Sequence, residues 1–436
     1  MPRRRYAPVL AELERRGAAR VAAEVEARAA RAGLSFDERT FELDPIPRIV
    51  ESEEWELLGR GLAQRARALE AFLVDAYSGR RIVQAGVMPE RVIETCAFYD
   101  PELRGAALPG RPLAVCGFDV VRDETGELLV LEDNARTPSG IAYAVAAREV
   151  IGDELARACG FHVQPLDTVW QLLAVALREA APGVSDAVIA VLTDGPGGAY
   201  SEHQWAAREI GAPLVTVDDL ELHGGAVRLR ADGRRVDVVY RRSNEDRLRD
   251  ESGALTHVGE LLAEPVASGA VAVANAFGAG VADDKQTHAY VESMVRFYLG
   301  EEPAIRSVPS VDLGTGAAAT LANLDEMVVK PREGEGGHGV VVPGEAGPER
   351  REAVRQAVRE APDEHAAQQA VELSTLPVIA DDGSLEPRTS DLRAFALAAP
   401  GGFELAPCAL TRFAAAGSLK VNSSSGGGGK DTWALA

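Results

Sequence analysis

Two short apolar runs carrying acids, in LAVCGFDVVRDETGELLVLEDNARTPSG (113–140), give the first chemical signal in this chain. Residues 114–121 are apolar and largely β-branched, with Asp119 in their midst. Asp123-Glu124-Thr125-Gly126 supplies turn chemistry, and residues 127–132 return to end in Glu132-Asp133-Asn134. A hairpin closed near residue 125 sets Asp119 almost opposite Glu132, and strand alternation puts Glu132 and Asn134 on one face. Carboxylates opposed across two strands lie about 5 Å apart at Cβ and repel. Two carboxylates and an amide oxygen so placed call for a cation. A donor set without His or Cys suits a hard one, Mg²⁺ or Mn²⁺. Taken alone, a hairpin with acids on a solvated face reads the same way.

The second signal is a scarcity. Of 46 basic residues only four are lysines, Lys285, Lys330, Lys420 and Lys430. Where arginine fills nearly every cationic position, a retained lysine suggests a need for a compact ammonium. Lys285 follows Asp283-Asp284 at an expected helix start. Lys330 lies on a strand entering the loop of MVVKPREGEGGHGVVV (327–342), with a second strand expected to return. Gly334, Gly336, Gly337 and Gly339 would let backbone amides approach phosphate oxygens. No helix with Lys-Ser/Thr follows, so the spacing is not that of a Walker loop. Lys430 follows the glycine run of NSSSGGGGKDTW (422–433).

Candidates for holding an acidic substrate stand elsewhere. Arg48 sits in the proline-fixed segment FELDPIPRIV (41–50), where a surface ion pair is an equally simple reading. Arg136 and Ser139 flank the start of a helix expected over 141–159. The free N–H groups at such a start can hold a phosphate or carboxylate, or be capped from within the chain. Arg241 and Arg242 end a strand, where open α/β sheets collect ligands.

The elements that must position these residues are legible in outline. Residues 1–32 read as one or two amphipathic helices and 53–79 as a long one closed by Gly79. DAVIAVLTDG (186–195), a helix at 202–211, PLVTV (213–217) and VDVVYRR (236–242) read as a Rossmann-like layer. Without G-x-G-x-x-G, dinucleotide binding is not supported. Residues 366–373 and 390–397 read as strands, the latter with Asp391 and Arg393 on one face. The 436 residues, 46% hydrophobic, allow two or three domains. A net charge of −21 argues against nucleic acid or an anionic membrane as partner. No apolar run is long enough to span a bilayer. The charged start lacks a secretory apolar region, and four dispersed cysteines fit a reduced cytoplasmic protein.

The order of these motifs resembles the ATP-grasp ligases, cut and rejoined. The usual last motif, an Asp strand followed by Glu-x-Asn-x-x-Pro, comes first here, as Asp119 and Glu132 to Pro138. The rest follow in their usual order: Asp284-Lys285, Val328-Val329-Lys330-Pro331, Gly334 to Gly339, Gln368, Asp391-Leu392-Arg393 and Asn422 to Gly429. The chain therefore looks like a circularly permuted ATP-grasp protein related to the glutathionylspermidine synthases. The resemblance implies an α/β fold with an N-terminal helical region (1–105), a permuted metal-binding part (106–165), a Rossmann-like pre-ATP-grasp domain (166–290) and nucleotide-binding lobes (291–436). It implies ATP with two Mg²⁺ ions, Mn²⁺ being an alternative, held by Asp119, Glu132 and Asn134. Lys285, Lys330, the 334–339 loop, Gln368, Asn422 and Lys430 would hold the nucleotide. Arg393 and Lys330 would act on the transferring phosphoryl group, and Arg48, Arg136, Ser139 and Arg241 would hold the acid. The activity implied is amide formation from a carboxylate and an amine through an acylphosphate. A nucleotide-binding protein without turnover and a small-molecule phosphotransferase are the alternatives. Two segments depart from the family pattern, Arg388-Thr389-Ser390 and Pro407-Cys408-Ala409.

Overall fold

The computed structural model describes residues 3–36, 39–105, 108, 110–250, 252–334, 339–380, 382–418, 421 and 427–436. Helices α1 (Arg3–Arg16) and α2 (Ala18–Arg31) part at Gly17, whose φ is 83°. Strand β1 (Leu43–Val50) leads into α3 (Ser52–Tyr77). The hairpin is β2 (Val115–Arg122) and β3 (Leu128–Asn134), and α4 (Ile141–Ile151) follows it. The Rossmann-like stretch supplies β4 (Ile189–Leu192), α5 (Tyr200–Glu209), β5 (Leu214–Val215), β6 (Val238–Arg241) and β7 (Ala272–Ala274). After the short α6 (Lys285–His288) come β8 (Arg306–Ser307), β9 (Ser310–Asp312), β10 (Met327–Pro331) and β11 (His365–Gln369). Strands β12 (Thr375–Ile379), β13 (Leu385–Ala399), β14 (Gly402–Phe413) and β15 (Gly428–Ala434) close the chain.

Three sheets frame the molecule. The largest has eight strands in the order β8-β3-β2-β13-β14-β15-β1, with β12 paired to β13. It joins an early strand, β1, to the last, β15, in parallel, with β1 at its edge. Pro45 and Pro47 are tolerated there because an edge strand needs fewer ladder donors. Three antiparallel strands, β9-β11-β10, form the second sheet and carry Lys330. Four parallel strands, β7-β6-β4-β5, form the third.

The hairpin pairs as its alternation predicts, with Asp119 opposite Glu132. A register shift follows at once, Val120 pairing with Val130, so that Leu131 bulges. Bulges of this kind twist a strand and re-aim its side chains. The hairpin is anchored from both sides. Beneath it, Asp133 is buried and takes a two-point contact from Arg65 of α3, at 2.5 and 2.8 Å, and one from His288 Nδ1 at 2.6 Å. Beside it, Asn275, just past β7, accepts from the Ala114 and Val115 amides and donates to the Val115 and Ala135 carbonyls. One amide thus ties the third sheet to the first. The main apolar core, including Leu69, Phe72, Phe118 and Phe395, lies between α3 and the large sheet.

Local differences from the sequence reading have tertiary causes. The left-handed residue closing α3 is Arg80, φ 52°, not Gly79. Asp75 turns the chain there by accepting the Arg81 and Ile82 amides, and Glu94 and Tyr99 hold the Arg80 guanidinium. The helix expected over 141–159 breaks at Gly152, φ 80°, into α4 and a short helix at Asp153–Ala158. The strand expected to return after the glycine loop is only an isolated bridge, Val341 to Val329.

Breaking the buried Asp133–Arg65 pair should cost about 3–5 kcal/mol, since Arg65 would be left charged and enclosed. Asp133→Asn should therefore lower the urea midpoint sharply. Burial alone would raise the Asp133 carboxyl, but Arg65 and then His288 hold it well below the usual range. The pair's contribution is complete above the unfolded value of about 3.9 and drains as pH falls below it. The difference in unfolding free energy between wild type and variant should shrink over that range.

Candidate active site

The acids of the hairpin open onto one face of the large sheet, and Arg393 on β13 sits opposite Asp119 in the register. Arg393 grips both Asp119 oxygens, at 2.6 and 2.8 Å. Arg412 on β14 adds a contact at 2.9 Å and is itself held by Asp391 at 3.0 and 2.5 Å. Burial would raise the Asp119 carboxyl, but the guanidiniums of Arg393 and Arg412 outweigh it and keep it well below the ordinary range. Asp391, buried with one such partner, is instead pushed up. Sequence reasoning placed Asp391 and Arg393 on one face but gave Arg412 no role. Its signal was the register that an antiparallel Leu-Thr-Arg strand would bring opposite Asp391.

The lysines approach from the other side. Asp284 caps α6 through the Gln286 and Thr287 amides, which fixes Lys285 at the helix start. Lys285 Nζ lies 3.8 Å from Glu132 and donates to the Gly334 carbonyl at 2.7 Å. Lys330 on β10 donates to the Gln368 side chain, whose amide nitrogen donates to the Leu131 carbonyl at 2.9 Å and to Ser310. Burial draws the Lys330 ammonium below its ordinary value, and the Glu132 charge works against that. Asp119, Glu132, Lys285, Lys330, Gln368 and Arg393 are thus gathered where the large and the three-stranded sheets meet. Gly334 and Gly339 bound the adjacent loop, while Gly336, Gly337 and Asn422 lie outside the described residues.

A divalent cation fits the acidic side by its donors. Glu132 is partly exposed, and Asn134 offers a side-chain oxygen on the same face, its nitrogen being buried without a partner among the described residues. The set is all oxygen, as a hard cation requires. Among the described residues no group of three or more His, Cys, Asp and Glu side chains has metal-ligand geometry. Asn134 would have to complete the set.

Other sequence candidates are differently placed. Lys430 is fully enclosed and spends its three donors on Asp44, the Ile46 carbonyl and the Pro377 carbonyl, so it presents nothing to a phosphate. The expected anion site at the start of α4 is filled by the chain itself. Buried Glu202 accepts the Gly140 and Ala142 amides at 2.7 and 3.1 Å. Arg241 is buried against Asp246 and the Glu245 carbonyl, and Arg136 shares Asp246 and lies over the Phe98 ring. Ser139 links the two regions, accepting from Arg242 at its hydroxyl and from Arg393 at its carbonyl. Arg48 lies on the edge strand beside Thr432, four strands from Asp119. Its side chain is buried, makes no hydrogen bond or ion pair among the described residues, and is drawn down to about 10 by burial and by Arg122.

Comparison with known proteins decides the family. The model of circularly permuted ATP-grasp type 2 proteins matches residues 47–414. The chain belongs to this family. A Frankia alni protein named "Putative glutamate--cysteine ligase 2-3" is 44% identical over 99% of this chain and 52% of its own length. A Synechocystis protein without an assigned function is 38% identical over 91% of this chain and 85% of its own. The chain spans about half the length of the two Frankia relatives it matches, 52% and 47%. A glutathione synthetase-like effector from Globodera pallida shares the fold, with a TM-score of 0.62 at 13% identity over 95% of this chain and 96% of its own. ATP-grasp proteins generally use ATP and Mg²⁺. Among the described residues no helix is long and apolar enough to cross a membrane.

The two departures from the family pattern take distinct forms. Pro407 and Cys408 fall where β14 loses register with β13, Ala394 pairing with Ala409 and Ala396 with Leu405. A bulge accepts a proline that cannot donate to the ladder. Ser390 is buried, with its hydroxyl unpartnered among the described residues.

The lysine geometry makes a sharp forecast. Lys330→Ala should weaken ATP binding about tenfold or more with little loss of stability. Lys430→Met should instead destabilise the fold, because Asp44 loses its buried partner. Nucleotide titration and urea unfolding of both variants will separate the roles. A further forecast concerns His203, buried at the end of β4 against Thr193 at 2.9 Å. Burial, then Arg242, lowers it to about 3. Between that value and the unfolded one of about 6.5 the unfolded chain holds the extra proton. Stability should therefore rise with pH across that window, by up to about 1.4 kcal/mol per unit. His203→Asn should flatten that slope in unfolding measured from pH 4 to 7.

Proposed function

We propose that this chain carries the nucleotide site of an ATP-dependent carboxylate–amine ligase. The observation that supports it best is the meeting of Glu132 with Lys285, 3.8 Å apart, from segments far separated in sequence. Acids for a cation and ammonium groups for phosphates then face one space. In the proposed reaction a carboxylate oxygen attacks the γ-phosphorus of ATP. The new C–O–P link forms as the bond to ADP breaks. An amine then attacks the acyl carbon, phosphate leaves, and the amine gives up a proton.

Asp119, Glu132 and Asn134 would hold the Mg²⁺ ions, which supply charge neutralisation at the phosphate oxygens. Lys285 and Lys330 would add to that neutralisation, and the 334–339 loop would cover the triphosphate and exclude water. Gln368 fixes Lys330 and would border the adenine. Arg393 would meet the transferring phosphoryl group, a role of positioning and charge. Arg136 and Arg241, joined through Asp246, and Ser139, joined to Arg242 and Arg393, would shape the acid's side, with residues 166–290 as the flanking domain. The Frankia name makes glutamate and cysteine the first acid and amine to try.

The test is a screen of acid and amine pairs for ADP release, with the product weighed by mass spectrometry. An amide with free phosphate is expected. A phosphorylated product without an amide would replace the ligase by a phosphotransferase. Glu132→Gln should lose ADP release by a hundredfold or more at an unchanged unfolding midpoint. Unaltered turnover in that variant would remove Glu132 from the site.

A further inference from the structure

Four charged side chains form a single line across three neighbouring strands: Arg393, Asp119, Arg412 and Asp391. They are not equivalent. Asp391 gives both oxygens to Arg412 and has no other hydrogen-bond partner among the described residues. Arg412 is therefore gripped at two points by Asp391 and touches Asp119 only at 2.9 Å. Arg393 has the reverse arrangement. Its two strong contacts are both to Asp119, and its one other bond is a 3.3 Å contact to the Ser139 carbonyl. Its side chain is partly open, at 16% exposure, close to the 12% of Arg412, so the difference between the two guanidiniums lies in their partners.

A carboxylate has about four acceptor positions, and Asp119 already receives three N–H contacts. A divalent cation would find one position left on Asp119 and two guanidiniums repelling it, so full coordination there displaces a guanidinium. Arg412 keeps its two-point hold on Asp391 when its contact to Asp119 is weakened. Arg393 has no comparable second partner. The retreating group is then Arg393, and it is also the one free to turn toward an anion.

Resting on the metal and nucleotide reading above, we infer that Asp391 and Arg412 are a positioning pair that makes Asp119 exchange Arg393, and only Arg393, for a divalent cation. Cation entry and presentation of Arg393 to the phosphates become one event. Asp391 matters because it keeps Arg412 from closing on Asp119 with its full fork. Without Asp391, two guanidiniums compete with the cation rather than one.

The experiment is a titration of the whole chain with Mn²⁺ alone, followed by paramagnetic resonance, in wild type, Arg393→Gln, Asp391→Asn and Asp391→Asn/Arg412→Met. Arg393→Gln should tighten Mn²⁺ binding severalfold, because the competitor is gone, although it should weaken ATP binding. Asp391→Asn should weaken Mn²⁺ binding about tenfold, and the double variant should return to within about threefold of wild type. A role that was only structural would not produce opposite signs or a rescue. Arg393→Gln leaves the grip of Asp391 on Arg412 intact, so it serves even if Asp391→Asn fails to fold, which a thermal melt will reveal. Weaker or unchanged Mn²⁺ binding in Arg393→Gln overturns the inference, as does an additive loss in the double variant. Absence of Mn²⁺ binding in wild type, with and without ADP, would sink the nucleotide-site reading itself.

Discussion

Everything at the candidate site depends on the register of one short strand. In Glu132-Asp133-Asn134 the outer two side chains face the cleft and the middle one faces the core. A slip of one residue would exchange those faces. The enclosed contact between Asp133 and Arg65 forbids it, because either charge exposed to the core without its partner carries a penalty of several kcal/mol. Arg65 is fixed in turn by lying within a 26-residue helix packed on the sheet. The alternation that aims Glu132 outward is therefore secured by the residue beside it. The bulge at Leu131 adds a second restraint, because its carbonyl is where Gln368 binds.

That contact explains how two separate sheets present their charges to one space. Gln368 touches the bulge with its nitrogen and Lys330 with its oxygen, so the three-stranded sheet is tied to the hairpin through the candidate residues themselves. Lys285 does the same at the other end, between Glu132 and the Gly334 carbonyl. The ammonium groups are held on neutral oxygens or on one partly exposed acid. Such contacts are weaker than fork-to-carboxylate pairs and are readily exchanged for phosphate oxygens. The arginines of the structural pairs, Arg65 and Arg332, are buried with two-point or multiple partners instead. The division between retained lysines and abundant arginines thus acquires a physical content at Lys285 and Lys330.

It acquires none at Lys430, and the contrast shows where a sequence runs out. A lysine after a glycine run looks the same whether it serves a phosphate or the core. Its acceptors, Asp44, Ile46 and Pro377, come from two other strands and leave no local mark. Glu202 is hidden for the same reason, since it caps a helix 60 residues before it in the chain. The hairpin register, and a helix cap at Asp283 or Asp284, were legible because turn chemistry, alternation and a capping residue are all local; the structure chooses Asp284. The glycine-loop strand Met327–Pro331 and the paired face of Asp391 and Arg393 were legible for the same reason. What stayed hidden was pairing at long range: Asn275 on the hairpin, Arg412 on Asp119, and Glu202 on α4.

The permuted order of motifs is sustained by the same long-range pairing. The large sheet takes its first strand from residues 43–50, its centre from the hairpin and from β13 and β14, and its closing strand from residues 428–434. The parallel pairing of β1 with β15 places a segment near the beginning of the chain next to one near its end. Asp44 and Lys430 make their ion pair across that seam, at full burial. In an unpermuted arrangement a covalent connection could hold neighbouring strands together. Here the seam is held by the parallel backbone ladder, and an enclosed ammonium with three acceptors adds a specific side-chain tie across it. The residue that resembled a phosphate ligand in the sequence is then part of what joins strands from opposite parts of the chain in the sheet that also carries the hairpin and Arg393.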